Sequence, residues 1–371
     1  MRAKAAYYRV KGERRMKSAL ARGGGGKRAA RAALPVALTA FLLAFPAGAA
    51  AGAAKGLRLC GTLVASLLPF MITSAWASGA GAFSGGRLTA ALTRALFRLP
   101  PEAANAMISG WLCGYPAGVR AAAREYEAGT LTKAQAERLL TFCACVSPQF
   151  AASVIGVSLF GSAYAGVCVY AGALLSCLLI GILGRFFARG EAPEAKRITK
   201  SPSGFAEAVA DGTESVLKIC ALTALFAALI GAADGTGLTA ALPETLRAAL
   251  KTALEVTNGS AEASGVRGGF IICAAGAGFG GVCVLCQFAA LTKTKKPRLR
   301  LLPAVISRLA HAGLTALFAS LLLRLDGSAA TVFSAFADGV RATPKVENIP
   351  AAVVLLALSA TVLMKASARR A

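Results

Sequence analysis

The sequence predicts an all-α polytopic membrane protein, with about eight transmembrane helices and two re-entrant hairpins arranged as an inverted repeat. Three observations carry that expectation. The 371 residues are 56% hydrophobic and only 16% charged, with a mean hydropathy of +0.62, too apolar for a soluble domain with a polar surface. Charge-free stretches of roughly 17 to 25 residues, long enough to cross ~30 Å of hydrocarbon, recur along the chain. Finally, an apolar span followed by Leu88-Thr89-Ala90-Ala91-Leu92, a segment broken by glycine and proline and a further apolar span returns in the same order around Leu238-Thr239-Ala240-Ala241-Leu242.

The apolarity comes mostly from Ala, Leu and Gly, the small residues that permit close helix crossings where lipid gives helices no hydrophobic reason to associate. The net charge of +24 sits mainly between apolar spans, without a basic domain interleaved with aromatics, and so points away from nucleic acid. Cys60, Cys168, Cys177 and Cys220 lie inside apolar stretches, where a thiol behaves as a small hydrophobe, and no disulfide framework is expected.

The division expected is a basic cytoplasmic arm over 1–31, a first transmembrane helix over 32–54, repeat one over 55–200, repeat two over 201–300, and C-terminal helices with a basic tail over 301–371. The eight spans read at 32–54, 59–84, 139–161, 163–184, 215–233, 268–291, 303–323 and 348–364. Lys218, Arg308 and His311 interrupt two of them, and the last is short. Eleven Lys and Arg in the arm place it in the cytoplasm, and eight crossings put 33 of the 41 basic residues on that side, with both termini inside. The arm is read as a solvated positive-inside anchor; its GGGG run and the lack of a cleavage site followed by a soluble domain argue against a signal peptide.

Under this topology the two copies of the duplicated element enter from opposite sides, the plan of many transporters. Leu88, Leu92 and Leu96 in copy one, and Leu238, Leu242, Leu246 and Leu250 in copy two, give helical periodicity interrupted by charges, which places both stretches along the interface. The broken element follows. In copy one it is 103–119, where Gly114-Tyr115-Pro116-Ala117-Gly118 stops a helix midway; in copy two it is the more polar ALEVTNGSAEASG. Broken backbone at membrane depth must be buried in protein or line a wet cavity, which favours re-entrant hairpins. A plain helical bundle with two interfacial helices is the competing architecture.

Glu255, Thr257 and Asn258 sit at the break of copy two. A carboxylate there either faces a solute or coupling ion at an unwound helix end, or belongs to an ordinary external loop. In the third span Ser147, Pro148 and Gln149 predict a discontinuous helix, and its counterpart is the glycine-rich run ending at Gln287. The glycines themselves also fit simple close packing. Cys283 and Cys286 form a C-x-x-C that no nearby His or second pair completes, and His311 reads as a polar contact between helices or an interfacial residue or, alternatively, a proton relay. The chain carries no catalytic triad, P-loop or zincin motif and is not expected to be an enzyme.

GYPAG at 114–118, LLTFCACVSPQF at 139–150 and LEVTNG at 254–259, in this order, resemble the YlbJ-type sporulation integral membrane proteins of the nucleoside-recognition or Gate domain group, over about 55–325. The resemblance implies a mother-cell protein of the outer forespore membrane, concerned with the spore cortex, that moves a small anion such as dipicolinate or a nucleoside-like solute. It also implies that Glu255 and Asn258 fall where nucleoside-transporter relatives place an acid and an amide at the substrate site. CACVSP departs from the asparagines that relatives more often show before the Ser/Gly-Pro. The candidate substrate-binding set is therefore Glu255, Thr257, Asn258, Ser147, Gln149, Gln287, Gly114 and Tyr115, with no cofactor or metal. The implied partners are the lipid bilayer and a small solute, with a coupling ion and homo-oligomerisation left open and no nucleic acid. The alternative function is a non-transporting membrane scaffold of a sporulation complex.

Overall fold

A computed structural model describes residues 32–80, 82, 86–187, 204–294 and 296–324. The basic arm 1–31, the span expected at 348–364 and the basic tail lie outside the described residues. Among the described residues every regular element is helical. Four helices are long and apolar enough to cross a membrane: Ala163–Phe187, Phe205–Gly235, Gly269–Leu291 and Leu302–Arg324; a fifth counts if the bent pair Ala32–Ala44 and Pro46–Gly61 is one span.

The chain opens with α1 (Ala32–Ala44) and α2 (Pro46–Gly79), bent by 101° at their junction. The spans read at 32–54 and 59–84 are therefore divided differently: the break falls at Phe45, and α2 runs unbroken through Lys55 and Arg58. Pro46 explains the shift, because proline suits a first helical position and disfavours helix in the residue before it. Lys55 and Arg58 are exposed on α2, so their charge does not interrupt the helix. The crossing assigned to 32–54 has no straight helix of its own.

α2 packs antiparallel to α8 (Phe205–Gly235) along a seam of small residues. A Cβ at Gly48 would collide with Gly231 O, one at Gly52 with Ala227 O, and one at Gly56 would lie 2.9 Å from Ala224 Cα. Further along, Cys60 Sγ donates to Cys220 O at 3.4 Å, and Gly212 faces Ile72. Glycine at 48, 52 and 56 clears one helix face every four residues, so the backbones meet as in small-xxx-small pairs in lipid.

After α3 (Arg87–Phe97), α4 (Ala103–Cys113) and α5 (Tyr115–Ala128) fold back on each other about Gly114, whose φ of +98° favours glycine. Gly110 and Gly118 meet across this hairpin, with Cys143 O lodged against both. α9 (Glu244–Leu254) and α10 (Val256–Ala263) make a second hairpin about Glu255, where Gly259 lies against the backbone of Thr252. Copy two differs from expectation before that hairpin. Leu238 begins a short 3-10 turn, Leu238–Ala241, and Pro243 ends it, so Leu246 and Leu250 belong to the first arm of the hairpin rather than to an interfacial helix.

The stretch read as a span at 139–161 is not one helix. α6 (Lys133–Leu139) ends, residues 140–147 run through turns into irregular backbone, and helix resumes at Pro148, in π geometry over Phe150–Leu159. The counterpart break separates α11 (Gly269–Phe279) from α12 (Gly281–Leu291), with Gly280 and Gly281 both at positive φ, +85° and +82°. α7 (Ala163–Gly184) and α13 (Leu302–Arg324) close the bundle; Gly172 of α7 and Gly278 of α11 each lie against α13.

Candidate functional site

The irregular segment at 141–147 has backbone carbonyls that need partners outside a helix, because free carbonyls in an apolar interior cost several kcal/mol each. Side chains from three other elements supply them. Ser307 Oγ and His311 Nε2 donate to Thr141 O at 3.0 and 2.9 Å, and Trp111 Nε1 donates to Phe142 O at 3.2 Å. Arg308 Nη1 donates to Ala144 O at 2.9 Å, with Cys177 Sγ on the same oxygen at 3.7 Å. His311 is thus a contact between helices: its Nδ1 also meets Ser176 Oγ at 2.9 Å.

Arg308 is 2% exposed and lies 5.7 Å from the centre of the Tyr115 ring. Among the described residues no carboxylate pairs with it. Tyr115 OH in turn donates to Ala277 O. α13, the irregular segment, the first hairpin and α11 are thereby tied together around one point.

That point borders a cavity of about 60 Å³. Six of the eight sequence-selected residues line it: Gly114, Tyr115, Ser147, Glu255, Thr257 and Gln287. The hairpin breaks at Gly114 and Glu255, the end of the irregular segment at Ser147 and the α12 face carrying Gln287 all meet here. Gly281 brings the α11/α12 break to the same place, since its Cβ position lies 3.1 Å from Leu254 O.

Glu255 is 2% exposed and fixed from behind. Its carboxylate caps α10, accepting from Thr257 N at 3.0 Å and from Asn258 N and Nδ2, each at 2.7 Å. An anion at a helix N-terminus satisfies unpaired backbone donors and the positive end of the helix dipole together. Ser147 plays the milder version of this role, accepting from Phe150 N at 3.2 Å at the start of the resumed helix.

Two selected residues stand outside the lining. Asn258 sits behind Glu255, with its Oδ1 buried and without a hydrogen-bond partner. Gln149 occupies the first turn after Pro148, and its Oε1 is likewise buried without a partner. Gln287 Nε2 leans on Cys283 Sγ at 3.6 Å, one turn back on α12.

The cavity also holds Pro116 of the first hairpin break, and Val146, Phe150, Ile219, Thr223, Val256 and Val284, which are not in the sequence-selected set. Thr223 had a signal, a hydroxyl inside an apolar span; the aliphatic ones had none. Arg308 was visible as a charge within a span but was read only as an interruption. Among the described residues no group of three or more His, Cys, Asp or Glu could hold a metal ion.

No family model matches the chain, and no solved structure matches it. One comparison gives a relative. The match spans 133 residues, fewer than the 55–325 stretch over which the motifs suggest resemblance, and covers about a third of the length of that curated relative. Over those residues, 36% of this chain and 33% of the relative, the chain is 30% identical to the sporulation integral membrane protein YlbJ of Bacillus subtilis (strain 168).

Proposed function

We propose that this protein is a sporulation-associated membrane permease whose solute, a small anionic metabolite of the dipicolinate type or a nucleoside-like molecule, binds in the cavity bordered by both hairpin breaks. One observation carries the reading: the non-helical points at Gly114, Ser147 and Glu255, far apart in sequence, border the same small cavity. Broken backbone is costly in lipid and is tolerated where it lines a cavity, the arrangement from which transporters build midplane sites. In this reading α4–α5 and α9–α10 are re-entrant hairpins of an inverted repeat. The antiparallel seam of α2 with α8, the helices that precede the two copies, supports that relation.

Orientation follows from charge. Lys296 Nζ donates to Tyr126 O at 2.8 Å, and Glu137 Oε1 accepts from Arg300 N at 2.7 Å, so the basic stretches 120–138 and 293–300 share one end of the bundle. That end is the cytoplasmic one by the positive-inside rule, and the basic arm and tail are assigned to it as well. The membrane is the outer forespore membrane, by resemblance to the YlbJ-type proteins.

A non-transporting scaffold is the second reading, favoured by the Glu255 carboxylate, whose oxygens are already engaged by α10. Reconstitution in liposomes separates the two. A permease gives uptake of dipicolinate or of a nucleoside, and Thr257→Val and Gln287→Leu lower that uptake while the proteins stay monodisperse. A folded wild-type protein that moves neither solute sinks the permease reading.

A further inference from the structure

Three helices that line the cavity continue into a second, wetter space. On α5 the lining face runs from Pro116 to Arg120, Arg124 and Glu127; on α12 it runs from Gln287 to Leu291 and Thr294 just beyond; on α8 it runs in the opposite chain direction, from Thr223 and Ile219 through Ser215 to Asp211. Steps of three and four residues keep each set on one side of its helix. These residues pass from the 60 Å³ cavity to an open, largely polar vestibule of about 710 Å³ at the end of the bundle assigned to the cytoplasm. Arg120 lies one turn, ~6 Å, from the cavity lining.

Between these spaces α5 and α8 are joined by ion pairs. Arg120 Nη2 pairs with Asp211 Oδ1 at 2.7 Å, Arg124 pairs with Asp211 Oδ2, and Arg120 also lies 3.8 Å from Glu214. Arg120, Arg124 and Asp211 also wall a pocket of only about 30 Å³ beside Ala117 and Ser215. The contact joins α5, an arm of the first hairpin, to α8, which belongs to the second repeat. It is half-buried, and Arg120 Nε is buried without a partner.

We propose that the Arg120–Asp211–Arg124 cluster is the gate between the vestibule and the candidate solute site, and that opening requires α5 to part from α8. The inference rests on the permease reading for its purpose. The location explains the chemistry chosen: an ion pair at a wet boundary gains modest energy and is screened by salt, so it holds a closed state without locking it. An apolar plug at the same place would not respond to a charged solute arriving from the vestibule. Asp211, shared by two guanidinium groups, is the residue on which closure depends.

The test reads access rather than flux. Thr223→Cys places a thiol in the cavity, and a membrane-impermeant thiol reagent is applied to reconstituted protein from the vestibule side, with the unsubstituted protein giving the background from native cysteines. Asp211→Asn, and Arg120→Gln together with Arg124→Gln, are expected to raise the labelling rate roughly tenfold or more, the change that ~1.4 kcal/mol of lost pairing gives. Asp211→Glu keeps the slow rate. Raising the salt concentration on the intact cluster raises the rate without any substitution there, which covers a variant that fails to fold. Equal labelling of Thr223→Cys with the cluster intact, broken and screened overturns the gate. Gated labelling in a protein that moves no solute overturns the permease reading and leaves the gate standing; ungated labelling in a protein with flux does the reverse.

Discussion

Asn258 donates twice to Glu255, through its backbone N and its side-chain Nδ2, both at 2.7 Å to the same carboxylate oxygen. The pair is a helix cap built into a hairpin break. It means that the acid which stands out in the sequence is first a structural residue, and that any solute contact it makes is shared with α10.

Truncating Glu255 therefore tests the cap before it tests transport. Glu255→Ala leaves the donors of Thr257 and Asn258 buried and unpaired, at a cost of ~1–3 kcal/mol. Glu255→Gln retains one acceptor and loses less. Thermal unfolding in detergent should rank wild type above Gln above Ala; equal stability of all three would show that the cap is not holding the hairpin.

Gly110 faces Cys143 O and Gly118 across the first hairpin. A side chain at Gly110 must push the hairpin away from the backbone at Cys143, and overpacking of this kind typically costs ~1–3 kcal/mol. Gly110→Val is expected to lower the unfolding temperature clearly. Gly184→Val, at a glycine of α7 with open space around its Cβ position, should have little effect on the same measurement.

The α2–α8 seam offers an internal comparison on one helix. Gly52 abuts Ala227 and Gly231, whereas nothing lies within 4 Å of a Cβ at Gly61. Gly52→Leu should reduce the yield of folded, monodisperse protein sharply and Gly61→Leu should not. Similar yields would mean that the two long helices do not depend on close approach.

The inverted repeat is checked by labelling from either side. Leu88 and Leu238, 73% and 74% exposed, sit at matching places in the two copies. Cysteines introduced at both positions, one per protein, are expected to react with impermeant reagents from opposite faces of the membrane. Reaction of both from the same face removes the inverted relation.

Several elements were legible in sequence because each rests on a local cause. The run Ala163–Gly184 forms α7 at the expected bounds since nothing within it breaks helix or carries charge. Pro148 and the glycines at 114, 280 and 281 announced breaks that the structure contains. The division of the first two spans was misread for an opposite reason: charge at Lys55 and Arg58 looked like a loop, while the stop actually lies at Phe45-Pro46. The glycines at 48, 52 and 56, in plain view, mark a packing face only once α8 is laid against them.

The sequence by itself determined the helical, membrane-embedded class and the places where helices stop, since hydropathy, proline and glycine act on the chain within a few residues. Only the tertiary structure decided that the stops at Gly114, Ser147 and Glu255 border one cavity, that Arg308 and His311 satisfy carbonyls at 144 and 141, and that Asp211 closes on Arg120 and Arg124. These pairings join residues 87 to 170 positions apart in the chain. No local preference encodes them: the Arg308 and His311 bonds follow from the cost of an unpaired carbonyl where water is absent, and the Asp211 pairs from opposite charges brought together at the wet end of the bundle.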